Sequence, residues 1–185
     1  MGTALIEAWT VERFLAWEDR QEGRHEFDGA CIVPMTGGSR AHQRIVYNLL
    51  RLLDDGLDPD RFDAVAEMRL DVGGKIRYPD VMVCAGRIPD QVRTLRDAVV
   101  VFEVLSEDTA ATDRETKRAE YARVPSMRRY VLLEQSRIAA TVLERAGGQW
   151  VEAHVAAGHL ALPEFGIALP LEEVYKGVAF LPSAV

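Results

Sequence analysis

The chain has 185 residues, 48% of them hydrophobic and 28% charged, the balance of an ordinary soluble globular protein with room for one full-sized core. Lys and Arg number 22 against 29 Asp and Glu, a net charge of −7. That charge argues against nonspecific coating of nucleic acid, which needs many Lys and Arg contacts to phosphate, while leaving room for a locally basic groove. No apolar run is long enough to span a bilayer.

The opening Met1-Gly2-Thr3-Ala4-Leu5-Ile6-Glu7 has neither the basic start nor the apolar core of a secretory signal. Thr10 to about Asp19 reads as a short helix capped by Thr10. Asp28-Gly29 between two short runs, Arg24 to Phe27 and Ala30 to Val33, predicts a hairpin. Pro34 to Arg40 reads as a loop. Ile45, Val46, Leu49, Leu50, Leu52 and Leu53 recur at helical spacing, predicting a helix from Ala41 to about Asp55 with Gly56 as its C-cap. Ala64 to Val72 and Lys75 to Val83 read as a hairpin about Gly73-Gly74. Gly86 to Asp97 is a polar excursion. Ala98 to Leu105 is apolar except for Glu103, the pattern of a central strand covered on both faces. Thr112 to Arg123 is predicted helical, with Thr112 and Glu115 as a capping box. Arg129 to Leu133 is a strand. Ala139 to Arg145 and Gln149 to Val155 form a hairpin about Gly147-Gly148. Short strands and turns follow.

The strand-helix-strand unit from Val99 to Leu133 implies a parallel pair, and the rest looks antiparallel. The fold class is therefore a mixed sheet with helices packed on it, α/β bordering on α+β. Residues 1–185 read as one domain, with a core over about 11–155 and short strands and turns over 156–185. The two cysteines, Cys31 and Cys84, form no CxxC and read as buried free thiols.

Two acids stand in or beside hydrophobic runs: Asp80 in Pro79-Asp80-Val81-Met82-Val83, and Glu103 in the strand from Ala98. A carboxylate in such surroundings is costly unless it is paired or binds a cation. On neighbouring strands the two would converge, as a hard cation such as Mg²⁺ requires. Either acid alone reads more simply as a strand cap or an arginine partner. Asp113, Lys117 and Tyr121, spaced by four, share one face of the following helix and could approach Glu103. The alternative there is a surface Asp113–Lys117 ion pair with Tyr121 packed on the sheet.

The ordered set Pro79-Asp80, Glu103-Val104-Leu105-Ser106, Asp113, Lys117 and Tyr121 resembles the Uma-two family of restriction endonucleases, within the PD-(D/E)xK nuclease superfamily. Glu26-Phe27-Asp28-Gly29 and Arg40-Ala41-His42-Gln43-Arg44-Ile45 upstream, and Arg129-Tyr130-Val131 downstream, extend the likeness over about Val11 to Val155. The superfamily's usual lysine two residues after the second acid is here Leu105, and Glu107 stands where the family often has proline. The resemblance implies that Lys117 has taken over the lysine's role.

What the resemblance implies is a restriction-endonuclease-like mixed β-sheet flanked by helices, hydrolysing DNA phosphodiester bonds with Mg²⁺, or Mn²⁺ as substitute. Asp80 and Glu103 would hold the metal, joined by Glu26, with Lys117 catalytic and His42, Asp113 and Tyr121 beside substrate or in support. Removing a lysine that acts only in the transition state would leave folding nearly intact. A cytoplasmic homodimer is expected, since a duplex cut needs two active sites. A nuclease-fold protein that binds without cutting, and a metal-dependent hydrolase of RNA or another phosphodiester, are the alternatives.

Overall fold

The computed structural model describes residues 8–106 and 110–180; the opening Met1 to Glu7, the Glu107 position and Pro182 lie outside them. In chain order the elements are α1 (Val11–Glu18), β1 (His25–Phe27), β2 (Ile32–Pro34), α2 (Arg40–Gly56), β3 (Phe62–Ala66), β4 (Arg69–Asp71), β5 (Ile76–Arg77) and β6 (Val81–Ala85). Then come β7 (Thr94–Leu95), β8 (Ala98–Leu105) and α3, which winds as a π-helix over Thr112–Lys117 and as an α-helix over Arg118–Tyr121. β9 (Arg129–Glu134), β10 (Ala140–Ala146), β11 (Gln149–Val155), β12 (His159–Leu162), β13 (Ile167–Pro170) and α4 (Leu171–Val174) follow.

The principal sheet has six strands in the order β11-β10-β9-β8-β6-β3. β8 lies inside it, parallel to β9 and antiparallel to β6, and every residue but Val99 is buried. The apolar run of β8 is thus explained as predicted, since both faces are covered and no alternation is needed. A second sheet, β2-β1-β5-β4-β7, carries α1 against it. β12 and β13 form a separate pair.

Two apolar clusters sandwich the principal sheet. One joins Ile45, Leu49 and Leu53 of α2 to Val81, Val83, Val100, Phe102 and Val131, and takes in Leu160, Leu162, Leu169, Leu171, Val174 and Tyr175 from the C-terminal segment. The other sets Tyr121 and Met127 against Met82, Val101, Leu105, Tyr130 and Leu132. Strand alternation sends successive side chains to opposite faces. Asn48 ties α2 to the C-terminal segment, donating to the carbonyls of Val174 at 3.0 Å and Lys176 at 2.9 Å.

Several expectations need correcting. The hairpin read between Ala64 and Val83 is split between sheets: β4 pairs with β5, while β3 pairs with β6. The chain leaves the principal sheet at Glu67, whose φ of 51° breaks the extended run, and returns after Pro79, which lacks an amide N–H for a ladder. The polar excursion contains β7, parallel to β4. α2 begins one residue earlier than expected because the Ser39 hydroxyl caps it, accepting from the His42 N–H, and its C-cap is Leu57 rather than Gly56. Thr112 caps nothing, for α3 is already helical at Ala110. Cys31 is exposed; Cys84 is buried, and desolvation pushes its thiol up to about 12, leaving it protonated. Among the described residues no helix is long and apolar enough to cross a membrane.

Candidate active site

Asp80 stands one residue before β6, and the β6–β8 register sets Val81 opposite Phe102. The Val104 N–H donates to Asp80 Oδ2 at 2.6 Å, and the Asp80 N–H faces Glu103 Oε2 at 3.4 Å. The two acids chosen from sequence are therefore cross-strand neighbours. Glu103 is only 3% exposed.

α3 brings the lysine. Lys117 Nζ lies 2.9 Å from Glu103 Oε1, 3.0 Å from Asp113 Oδ1 and 3.4 Å from Glu26 Oε1. The Asp113 contact is one of charge and not of hydrogen-bond geometry, since Asp113 Oδ1 has no hydrogen-bond partner. The Tyr121 hydroxyl donates to Glu103 Oε1 at 3.2 Å. The surface ion-pair alternative is set aside by burial: Lys117 is 6% exposed and Asp113 1%. Leu105, at the usual lysine position, belongs to the second apolar cluster.

Desolvation is the largest influence on Glu103 and drives its pKa well up; Lys117 pulls it down, and Asp80 and Asp113 push it up again. For Lys117, desolvation pulls down, but Glu103, Glu26 and Asp113 together outweigh it and hold the pKa well above the ordinary lysine value. Taken as one ion pair the two shifts disagree, because a raised lysine marks a favourable pair and a raised glutamate an unfavourable one. Both follow when a single ammonium is shared among several carboxylates. Burial raises Tyr121 and Tyr130 as well, so both hydroxyls stay protonated and can donate.

From the opposite side, α2 supplies His42, whose Nε2 is 3.1 Å from Asp80 Oδ2. Burial lowers the His42 pKa, but the Asp80 hydrogen bond and charge, with Glu67 and Asp113 behind, leave it raised. Gly38 makes room for the ring: a Cβ there would stand 2.5 Å from His42 Nδ1. Glu26 is brought to Lys117, and its oxygens are also taken by the Arg77 guanidinium at 2.9 Å and the Tyr78 N–H at 3.3 Å.

A sequence model of the Uma2 family, described as putative restriction endonuclease, matches residues 11–172. The chain belongs to that family. Two proteins of Synechocystis sp., both described as uncharacterized, are each 29% identical to it. One alignment runs over 175 residues, covering 91% of this chain and 92% of the relative; the other runs over 141 residues, covering 73% and 80%. The fold is similar to the crystal structure of a putative nuclease belonging to DUF820 from Anabaena variabilis, with a TM-score of 0.77 at 17% identity over 92% of this chain and 99% of that one.

In this Uma2-family chain the fit of a divalent cation rests on Asp80 and Glu103: Lys117 and Tyr121 both bond Glu103 Oε1, while Glu103 Oε2 is turned toward Asp80. Among the described residues no three His, Cys, Asp or Glu side chains form a ready cage. Two carboxylates with waters and phosphate oxygens are what Mg²⁺ ordinarily takes from a protein.

The sequence reading missed the support behind Glu26. Arg77 donates to both Glu120 oxygens at 2.8 Å, and Lys75 reaches Glu120 Oε1 at 2.7 Å. Helical spacing from Lys117 could have flagged Glu120. Nothing in local sequence joins it to Arg77, 43 residues away. Tyr130, whose ring meets Tyr121 edge-on at 4.9 Å and whose hydroxyl donates to the Asp113 carbonyl at 3.0 Å, read in sequence only as part of a strand and of the family likeness.

Proposed function

We propose that the protein is a divalent-metal-dependent nuclease that hydrolyses DNA phosphodiester bonds, with Asp80 and Glu103 as the residues that hold Mg²⁺. The observation that carries the reading is the convergence of Asp80, Glu103 and the buried Lys117 at one end of the β6–β8 pair. Bound there, the metal supplies a water of lowered pKa and neutralises charge building on the phosphate. Lys117 adds a fixed positive charge, worth most where water is excluded. His42 orients Asp80 through Oδ2, and Tyr121 orients Glu103 through Oε1. Glu26 and Asp113 position the ammonium. Since cutting both strands takes two such sets, the same proposal has the chain act as a homodimer, in the cytoplasm.

The deciding assay is cleavage of plasmid, single-stranded DNA and RNA with Mg²⁺ or Mn²⁺, comparing wild type with Glu103→Gln and Asp80→Asn. Cleavage of DNA by wild type, abolished in both variants together with Mn²⁺ binding in calorimetry, supports the reading. Equal Mn²⁺ binding by all three proteins would sink the shared site, and cleavage of RNA alone would move the substrate. A second reading, a nuclease-fold protein that binds without cutting, draws on the saturation of Lys117 by three carboxylates. It predicts no cleavage of any substrate.

A further inference from the structure

The outward face of α2 is not used by the site described above, and it carries charge that helix stability does not explain. Arg40, Gln43, Arg44 and Tyr47 are exposed and line one shallow cleft, while His42, Ile45, Val46 and Leu49 point inward. Arg40 is the first helical residue, and the first turn holds no acid. The positive end of the helix dipole disfavours an arginine there and would favour Asp or Glu. Neither Arg40 nor Arg44 meets a carboxylate among the described residues, whereas Arg51, further along the helix, is 3.2 Å from Asp55. Arg44 lies over the Tyr47 ring, 5.9 Å from its centroid, with Tyr47 itself 60% exposed.

Position supplies the second half of the argument. Between Arg40 and Arg44 on the same turn stands His42, bonded to Asp80. The start of the helix is pinned to the ends of β8 and β9: Ser39 bonds Gln135, and Gln135 donates to the Leu105 carbonyl at 3.3 Å. In a chain of net charge −7, two arginines without a carboxylate partner among the described residues thus flank the histidine that bonds Asp80.

We infer that Arg40 and Arg44 form a docking surface for the phosphate backbone of DNA, holding the strand that runs into the Asp80–Glu103 site. The inference rests on the nuclease reading for its ligand but makes a separate claim about where that ligand is held. Tyr47 braces the Arg44 guanidinium, and Gln43 supplies a neutral donor between the two cations. The contact is to backbone and carries no base sequence.

The test is fluorescence anisotropy of a labelled DNA duplex titrated with the full chain in calcium, repeated across a range of salt. Each phosphate neutralised contributes about −0.9 to the slope of log K against log salt. Arg40→Ala with Arg44→Ala is therefore expected to flatten the slope by about 2, and the double lysine variant to keep it. Both positions are exposed, and unchanged melting temperatures confirm that each variant folds. An unchanged slope in the alanine pair, or no binding by wild type, overturns the inference; so does a change confined to oligomeric state. DNA cleavage by wild type with no slope change sinks this surface and leaves the nuclease reading standing. Arginine-dependent binding without cleavage of any substrate does the reverse.

Discussion

Lys117 Nζ and the Tyr121 hydroxyl meet the same oxygen, Glu103 Oε1, at 2.9 and 3.2 Å, so one carboxylate oxygen is fixed by two donors from a single helix. The ammonium is enclosed by this arrangement, and its removal acts on stability as well as on chemistry.

Lys117→Ala leaves Glu103, Asp113 and Glu26 facing one another without their shared cation. Removing one partner of a buried pair costs about 3–5 kcal/mol. The sequence-based expectation that folding would be nearly unaffected is therefore revised: urea melts are expected to show a loss of that size. Cleavage should fall by about a hundredfold or more, the scale set by losing one electrostatic donor. Arginine should not restore the rate, because its planar fork cannot place a compact charge at the same point. A variant as stable as wild type would show that the carboxylates do not need Lys117.

Glu120 gives a prediction in pH. Burial raises its pKa, but the Arg77 and Lys75 hydrogen bonds and charges outweigh burial and leave it lowered. A folded pKa below the unfolded value, about 4.3, means that the carboxylate contributes stability above that pH and loses it as pH falls through the folded pKa. Glu120→Gln should cost about 3 kcal/mol at pH 7. The gap from wild type should close progressively below about pH 4. Denaturant melts of both proteins between pH 3 and 8 measure it; a gap constant across that range would remove Glu120's charge from the account.

Gly38→Ala tests how His42 is seated. The new methyl group would overlap the imidazole, so the ring must leave Asp80 or the loop must move. Overpacking of this kind costs about 1–3 kcal/mol. Cleavage should drop well beyond what that loss of stability explains at a temperature where the variant is folded. Full activity in Gly38→Ala would show that His42 need not contact Asp80.

Truncation after Val155 removes Leu160, Leu162, Leu169, Leu171, Val174 and Tyr175 from the cluster under α2. At about 1.5–3 kcal/mol for each fully buried side chain, the six together are worth about 9–18 kcal/mol, comparable to a typical domain's whole stability of about 5–15 kcal/mol. The shortened chain is expected to be insoluble or unfolded by circular dichroism. A cooperative melt from it would show that the segment is an accessory.

How much was legible in advance depended on the range of the interaction. Glu103 could be found because an acid inside an unbroken apolar strand must have a partner, and Lys117 because its spacing from Asp113 and Tyr121 is local. The β8–β9 parallel pair followed from the length of its crossover. The split of residues 62–85 between two sheets was hidden, because Gly73-Gly74 signals a turn without saying which residues on either side stay paired. Arg77 and Glu120 each look like ordinary surface charges in sequence; only the fold brings them together. In sequence Arg40 reads as the end of a loop and Arg44 as one more charge on a helix, since which cations lack a partner is a property of the folded surface.

The π-helical winding of Thr112–Lys117 makes residue count part of the site's chemistry. A π turn closes on i→i+5 bonds where an α turn closes on i→i+4, so it holds one residue more. Deleting a single residue upstream of Lys117 would let the segment rewind as α-helix, changing where Lys117 stands relative to Asp113 and to β8 without altering either side chain. A transplant of the Asp113, Lys117, Tyr121 spacing onto a straight α-helix would carry the right residues in the wrong rotation. The length of this segment is accordingly as much a determinant of the candidate site's geometry as the identity of its lysine.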